Sequence, residues 1–439
     1  MHQVVLKVKN LLGQNLTGTK QKIASNTIYQ VIGKLVSMSI TVLAVMIVTR
    51  TYGKGGYGEF SLMQSWPALF FVIVDFGINA IAARELTSDW SRAGKYFSSI
   101  LLFRIIFSLI LILLLNLLLI LFPYSQSLSF GIRISLLLVL TQALYSTGNI
   151  FFQVKLKYDY SVISYLLGYV VILGLVLYFS LIKAPVYFVS FSYVLGGLVT
   201  FFMSLHFLKK LGVRFSFSFD KELIKRLFIS ALPIGIMFLF SQMSFKEDAL
   251  MLSVLKLPEN YNLTNTESVA VYALPYKIFE VCLVVPTFFM NATYPILVKK
   301  MEEGKDKLKA AFIKTIKFLL IAGILSGIVG QLIVPLSINI LGGADFIESI
   351  LVLRILIAGL VFYFLTSPLS WLIVTLGYQK KLPLIYALSA VFNLIANLIF
   401  IPKYSFYAAT VITQISEVFI LIMLVIVAKN SWKHKYGQL

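Results

Sequence analysis

The stretch Tyr96–Leu121, YFSSILLFRIIFSLILILLLNLLLIL, decides the fold, because it holds a single charge, Arg104, in an otherwise apolar run. As a helix rising about 1.5 Å per residue it is roughly 39 Å long, enough to cross a hydrocarbon core of about 30 Å. Lipid offers no hydrogen bonds to a backbone, and a helix satisfies its own. Further runs at 23–49, 59–82, 130–151, 161–182, 186–208, 227–255, 268–297, 310–340, 350–376, 382–401 and 405–428 repeat the pattern. The expectation is an all-α polytopic membrane protein with about twelve spans.

Composition agrees. Of 439 residues, 59% are hydrophobic and 13% charged, against roughly 25% charged in a soluble domain. The formal charge of +20 would suggest a nucleic-acid partner on a globular surface, but the 38 lysines and arginines alternate by connection. One set of loops and ends holds Lys7, Lys9, Lys20 and Lys22, the group Lys209 to Arg226, the group Lys299 to Lys317, and Lys429, Lys433 and Lys435. The opposite loops and helix ends hold only Arg50, Lys54, Arg133, Lys183, Lys256 and Lys403. The positive-inside rule therefore predicts that both termini are cytoplasmic, and the basic residues meet acidic lipid headgroups rather than nucleic acid.

The hydrophilic connection 209–226 divides the chain. The expected organisation is a basic cytoplasmic leader over 1–22, a lobe of six helices over 23–208, a cytoplasmic linker over 209–226, a second lobe of six over 227–428 and a cytoplasmic tail over 429–439. Equal halves that start on the same side imply a parallel repeat with a central cavity between the lobes, a plan used by secondary transporters.

No catalytic or metal-binding signature appears. Gly53, Gly55 and Gly58 match a dinucleotide pattern but sit in a short turn between spans, without a strand or a βαβ unit. Cys282 is the single cysteine, and His2, His206 and His434 are not at ligand spacing. No cofactor and no catalytic residue is expected, and a carrier is favoured over a membrane glycosyltransferase or polymerase because the outside loops are short.

Ionisable residues inside spans are the functional candidates, since each costs a few kcal/mol at the bilayer centre unless it meets water or a partner. Lys34 lies near the middle of the first span. Lys246, Glu247 and Asp248 are consecutive in the seventh, Lys277 and Glu280 stand at i, i+3 in the eighth between Pro275 and Pro286, and Asp75 and Glu417 complete the set. For each the alternative is an interhelical ion pair. Lys34, Lys246 and Lys277 are the candidates for an anionic ligand, and Asp75, Asp248 and Glu280 for coupling to H+ or Na+. Arg104, Arg133 and Arg354 lie nearer span ends and are expected to snorkel.

Polar groups suited to sugars also line spans. Asn26, Tyr29 and Gln30 lie in the first, and Gln142, Tyr145, Asn149 and Gln153 form an i, i+3, i+7, i+11 stripe in the fourth. Asn79, Gln242, Asn393 and Asn397 are further examples. Such residues either wall a hydrated cavity or act as interhelical glue. The pairs Gly323/Gly327 and Gly196/Gly197 read as close helix packing.

Ser25-Asn26-Thr27, Val48-Thr49-Arg50-Thr51-Tyr52-Gly53, Gly56-Tyr57-Gly58-Glu59-Phe60, Val74-Asp75-Phe76-Gly77-Ile78 and Arg84-Glu85-Leu86 occur in an order and spacing that resemble the polysaccharide transport family of repeat-unit flippases. Tyr272-Ala273 with Lys277 and Pro286, Tyr294-Pro295, Asn393 with Asn397, Ile401-Pro402 and Ala408-Ala409-Thr410 extend the resemblance over nearly the whole chain. It implies membership of the superfamily that includes multidrug extruders and the lipid II flippase. A MATE-like pair of lobes around a cationic cavity is then expected in a bacterial cytoplasmic (inner) membrane.

The implied activity is alternating-access export of undecaprenyl-pyrophosphate-linked oligosaccharide units for O-antigen lipopolysaccharide, capsule or a related polymer. A polysaccharide polymerase and a chain-length regulator would be partners. On that basis Lys34, Lys246 and Lys277 would bind the pyrophosphate. The rival is a cation-coupled multidrug or metabolite antiporter of the same fold.

Overall fold

The computed structural model describes residues 19–258 and 261–437. The predicted leader over 1–22 lies outside the described residues up to 18. The helices are α1 (Thr19–Asp75), α2 (Ile78–Ser88), α3 (Ala93–Leu118), α4 (Gln126–Ser135), α5 (Leu137–Val154), α6 (Tyr158–Leu181), α7 (Val186–Lys210), α8 (Lys221–Val254), α9 (Asn265–Cys282), α10 (Val284–Glu302), α11 (Lys305–Leu341), α12 (Glu348–Ala358), α13 (Leu360–Thr375) and α14 (Leu382–Tyr436). Among the described residues, 10 helical segments are long and apolar enough to cross a membrane. Two of them, Ile28–Ser88 and Gln379–Tyr436, run through breaks, at Gly53 (φ 63°) in α1 and Ser405 (φ 52°) in α14.

α3 shows why these helices belong in lipid. Its buried side chains include Ser98, Ser99, Arg104 and Ser108, whereas Ile106, Leu109, Ile110, Leu113, Leu114 and Leu117 are exposed. The arrangement is polar inward and apolar outward, which is unfavourable in water and favourable in hydrocarbon. The protein is a multi-pass membrane protein.

Several apolar runs are split. The run at 268–297 breaks at Leu283, between α9 and α10. Pro286 lacks the N–H that would bond the carbonyl four residues back, at Cys282. The run at 350–376 breaks at Gly359, where a Cβ would lie 1.5 Å from Gln414 Oε1. Close packing at glycine also joins α6 to α7, since a Cβ on Gly196 would fall 2.7 Å from the Gly168 carbonyl oxygen.

The chain forms two compact units. The first is Met1–Thr51 with Trp66–Gly235, and the second is Tyr52–Ser65 with Ile236–Leu439. Residues 52–65 group with the second unit for visible reasons: Lys54 pairs with Glu348 at 2.8 Å, and Tyr57 packs edge-on against Phe346. The connection 209–226 groups with the first. Ser216 N donates to Ser98 Oγ at 2.9 Å, Asp220 N to Ser99 Oγ at 3.1 Å, and Lys95 pairs with Asp220.

Candidate functional site

Each unit contains a buried polar centre. In the first unit the helix is interrupted at Phe76 (φ 39°) and Gly77 (φ 74°), which leaves Asp75 at the end of α1 and Asn79 at the start of α2. Gly77 is required there twice over, by its left-handed backbone and because a Cβ would stand 2.8 Å from Ile234 Cγ2. Arg104, from α3, reaches into this break. Its Nη2 donates to Asp75 Oδ1 at 2.6 Å and to Asn79 Oδ1 at 3.0 Å, and its Nη1 donates to Thr147 Oγ1 at 2.9 Å. Ser146 Oγ completes the centre, donating to Asp75 Oδ1 and accepting from Asn79 Nδ2.

The snorkelling expected of Arg104 is therefore overturned. Its side chain is 0% exposed. α3 begins at Ala93, about three turns before Arg104, and a carboxylate, an amide and a hydroxyl converge on it there, which compensates a buried guanidinium where water does not reach. Arg133 and Arg354 are exposed, as snorkelling requires.

The second unit's centre is acidic. Asp248, on α8, is 0% exposed. Its Oδ2 accepts from Tyr272 OH at 2.6 Å and Thr413 Oγ1 at 2.8 Å, and its Oδ1 from Asn397 Nδ2 at 2.6 Å. These donors come from α9 and from both parts of α14, and all are neutral. Glu247 is also buried, with Oε2 lacking a hydrogen-bond partner among the described residues, as does Asn397 Oδ1. The Asn393 amide lies 3.1 Å from Ser416 Oγ, 2.6 Å from Asn397 Nδ2 and 2.9 Å from Glu247 Oε1.

A cavity of about 300 Å³ adjoins this centre, lined by Tyr363, Thr366, Ser370, Trp371, Tyr386, Asn393, Thr413, Ser416 and Glu417. Glu417 Oε1 accepts from Thr366 Oγ1 at 2.6 Å. Hydroxyls with aromatic faces and a carboxylate are the groups that bind a polyol or an organic cation. Thr413 and Glu417, at i and i+4, share a helix face, a polar spacing within a span that is legible in the sequence. Tyr272, Trp371 and Tyr386 carried no such signal, since aromatic residues are common in any membrane helix.

The lysine candidates of the second unit come together. Lys246 Nζ lies 2.8 Å from Glu280 Oε1, and Lys277 Nζ lies 2.9 Å from Glu280 Oε2. Two ammonium groups share one carboxylate, so the cluster carries a net positive charge. Lys34 belongs to the first unit, on an exposed face of α1, beside Gly33, where a Cβ would meet Tyr165 of α6.

The sugar candidates divide. Asn26 spends its amide on backbone, donating to Leu156 O at 2.7 Å and accepting from Tyr158 N at 3.3 Å. Asn149 accepts from Ser161 Oγ at 2.7 Å. Tyr29, Gln30, Gln142 and Tyr145 are half-buried, and Gln153 is exposed. Along α5 the stripe is thus the less buried side of a helix whose other residues, Ala143, Leu144, Ser146, Thr147 and Ile150, are buried. Among the described residues no group of three His, Cys, Asp or Glu side chains could hold a metal ion.

Solved structures with this architecture are transporters. A multidrug resistance MATE family transporter of the MOP superfamily in an inward-facing conformation is 15% identical, with a TM-score of 0.74 over 91% of this chain and 96% of its own. The lipid II flippase MurJ, in an inward closed conformation, is 15% identical, with a TM-score of 0.71 over 91% of this chain and 87% of its own. A MOP superfamily transporter from Pyrococcus furiosus, described as having a binding pocket of reverse polarity, is 16% identical, with a TM-score of 0.59 over 94% and 96%. These likenesses concern the fold. No curated protein matches the chain in sequence. The profile of one family, described as polysaccharide biosynthesis protein, matches residues 23–301. That match covers both sides of the unit boundary and more than half of the chain, so the chain belongs to the polysaccharide biosynthesis protein family.

Proposed function

We propose that this protein is a flippase that carries undecaprenyl-pyrophosphate-linked oligosaccharide units from the cytoplasmic to the outer leaflet of a bacterial inner membrane, by alternating access. Its chain would cross about twelve times, with both termini cytoplasmic. The units would serve O-antigen, capsule or a related surface polymer, with a polymerase and a chain-length regulator acting next. The observation that carries the proposal is the cluster of Lys246 and Lys277 on a single carboxylate, Glu280. A pyrophosphate would add anionic oxygens to two ammonium groups that share a single carboxylate. Family membership and the MurJ-like fold support a lipid-linked substrate.

In this proposal Lys246, Lys277 and Lys34 hold the pyrophosphate, while Tyr29, Gln30, Gln142, Tyr145, Asn149 and Gln153 contact sugar. Asn26 would do so only by giving up its backbone bonds. Asp248 is the coupling group, since its neutral donors and the unpartnered Asn397 Oδ1 and Glu247 Oε2 suit H+ or Na+. Asp75 and Glu280 already face cations and would couple only by releasing them.

A second reading, a cation-coupled multidrug antiporter, is favoured by the acidic cavity at Glu417 and by the MATE fold. Deletion of the gene in a cell lacking another flippase separates the two. Loss of surface polymer with lipid-linked oligosaccharide stranded on the cytoplasmic leaflet is expected. Normal polymer together with heightened drug sensitivity would select the antiporter.

A further inference from the structure

An apolar groove of about 240 Å³ opens on the second unit, where the start of α11, the end of α13 and the end of α14 meet. Its walls are Phe312, Leu369, Leu372 and Val425, and its rim carries Lys309, Lys429 and Trp432. Lys309 and Phe312 stand at i, i+3 on α11, and Lys429 and Trp432 at i, i+3 on α14, so on each helix a ring and the aliphatic stem of a lysine flank the same slot.

The rim is cationic without being neutralised. Lys309 and Lys429 form no ion pair among the described residues, whereas nearby Lys300 and Lys307 are both paired with Glu303. Trp432 is buried, at 6% exposure, and its indole N–H has no acceptor among the described residues. The slot itself exposes apolar surface, so the Trp432 ring stands beside it as a reporter of what enters. This end of the unit also holds Lys305, Lys314, Lys317, Lys433 and Lys435, which the positive-inside rule assigns to the acidic inner leaflet.

We propose that the groove binds an acidic phospholipid of the inner leaflet. One acyl chain lies in the slot and the phosphate sits between Lys309 and Lys429. Two ammonium groups over one slot favour a lipid with net negative charge over a zwitterionic one. None of Lys246, Lys277 and Asp248 lines the groove, and the ligand is proposed as a resident lipid rather than cargo.

The test is quenching of tryptophan fluorescence in vesicles containing brominated phosphatidylglycerol or brominated phosphatidylcholine, with Trp432→Phe defining the signal from that indole. The wild-type protein should be quenched at Trp432 at a several-fold lower mole fraction of the acidic lipid. Lys309→Gln with Lys429→Gln should remove that preference, while Lys314→Gln with Lys317→Gln on the same basic end should keep it. Equal quenching by the two lipids, or a preference that survives loss of both rim lysines, would overturn the proposal. Displacement of phosphatidylglycerol by an equimolar polyprenyl pyrophosphate would overturn it too, by making the groove a place for the transported lipid.

Discussion

Asp75, partly exposed in the first unit, and Asp248, buried in the second, are solvated in opposite ways. Asp75 faces a fully buried guanidinium, and a hydroxyl shares its oxygen. Asp248 has three donors at 2.6–2.8 Å, and none carries a charge. In the first centre anion and cation are matched, with only Arg104 Nε left without a partner among the described residues of that centre. In the second, Asp248 is matched for hydrogen bonds but not for charge, and buried Glu247 beside it adds to the deficit. A closed pair fixes structure, while an acidic centre without a cation invites one in. The difference in partners, rather than the presence of a buried acid, separates brace from site.

The sharpest way to break the comparison is Arg104→Met. The substitution keeps the bulk but leaves Asp75, Asn79 and Thr147 facing a vacated charge. Removing one partner of a buried pair costs about 3–5 kcal/mol, so the purified protein should melt far below wild type or fail to accumulate. Asp75→Leu combined with Arg104→Met should recover most of that loss, because replacing both partners leaves no charge exposed to lipid. If Arg104→Met melts like wild type, the first centre is not a brace.

Next in size is Asp248→Asn, expected to act on transport and spare the fold. The amide oxygen still accepts from Tyr272, Thr413 or Asn397, and no buried cation is orphaned, so the stability change should stay within about 1 kcal/mol. Flipping in vesicles should fall at least tenfold and lose its dependence on a proton or sodium gradient. A large fall in melting temperature with gradient-dependent transport retained would make Asp248 a second brace and erase the contrast.

How far the sequence shows these centres depends on what each is made of. The spans are legible because apolar length is a local property: Tyr96–Leu121 reads as a membrane helix with no knowledge of its neighbours. Asp75 and Asp248 are likewise visible as charges in apolar runs. Their different fates are not, because Arg104 reaches Asp75 from another helix, and the donors to Asp248 arrive from residues 272, 397 and 413. Periodicity along one helix carries no information about which helix stands opposite. The pairing of Lys277 with Glu280 was legible, being i, i+3, but the arrival of Lys246 at the same carboxylate from another helix was not.

That shared carboxylate gives a third, smaller test. Glu280→Gln removes the anion and keeps the shape, leaving Lys246 and Lys277 to repel each other. Both lysines and Glu280 are partly exposed, so the stability cost should be about 1 kcal/mol or less. Pyrophosphate binding should tighten several-fold, read by titration of the purified protein, because a competitor for the ammonium groups has gone. Weaker binding would show that Glu280 positions the lysines rather than competing with the ligand.

The smallest effect is expected at Lys95 and Asp220, a pair of the same charges as Arg104 and Asp75 but set at a loop, with side chains 47% and 23% exposed. The Lys95 ammonium, aided by the Leu223 N–H that Asp220 accepts at the start of α8, holds the Asp220 carboxyl below its ordinary range. A carboxylate whose pKa is lowered by folding contributes stability above its unfolded pKa, near 4, and loses that contribution as pH falls through the folded value. Asp220→Asn should therefore lower the melting temperature slightly at neutral pH, less than any substitution above, and the gap to wild type should close on acidification below pH 4. High salt should narrow the gap as well, since ions screen an exposed pair but do not reach a buried one. A salt-insensitive loss as large as that of Arg104→Met would mean that burial, the variable that separates this pair from the one at Asp75, does not set the strength of ion pairs in this protein.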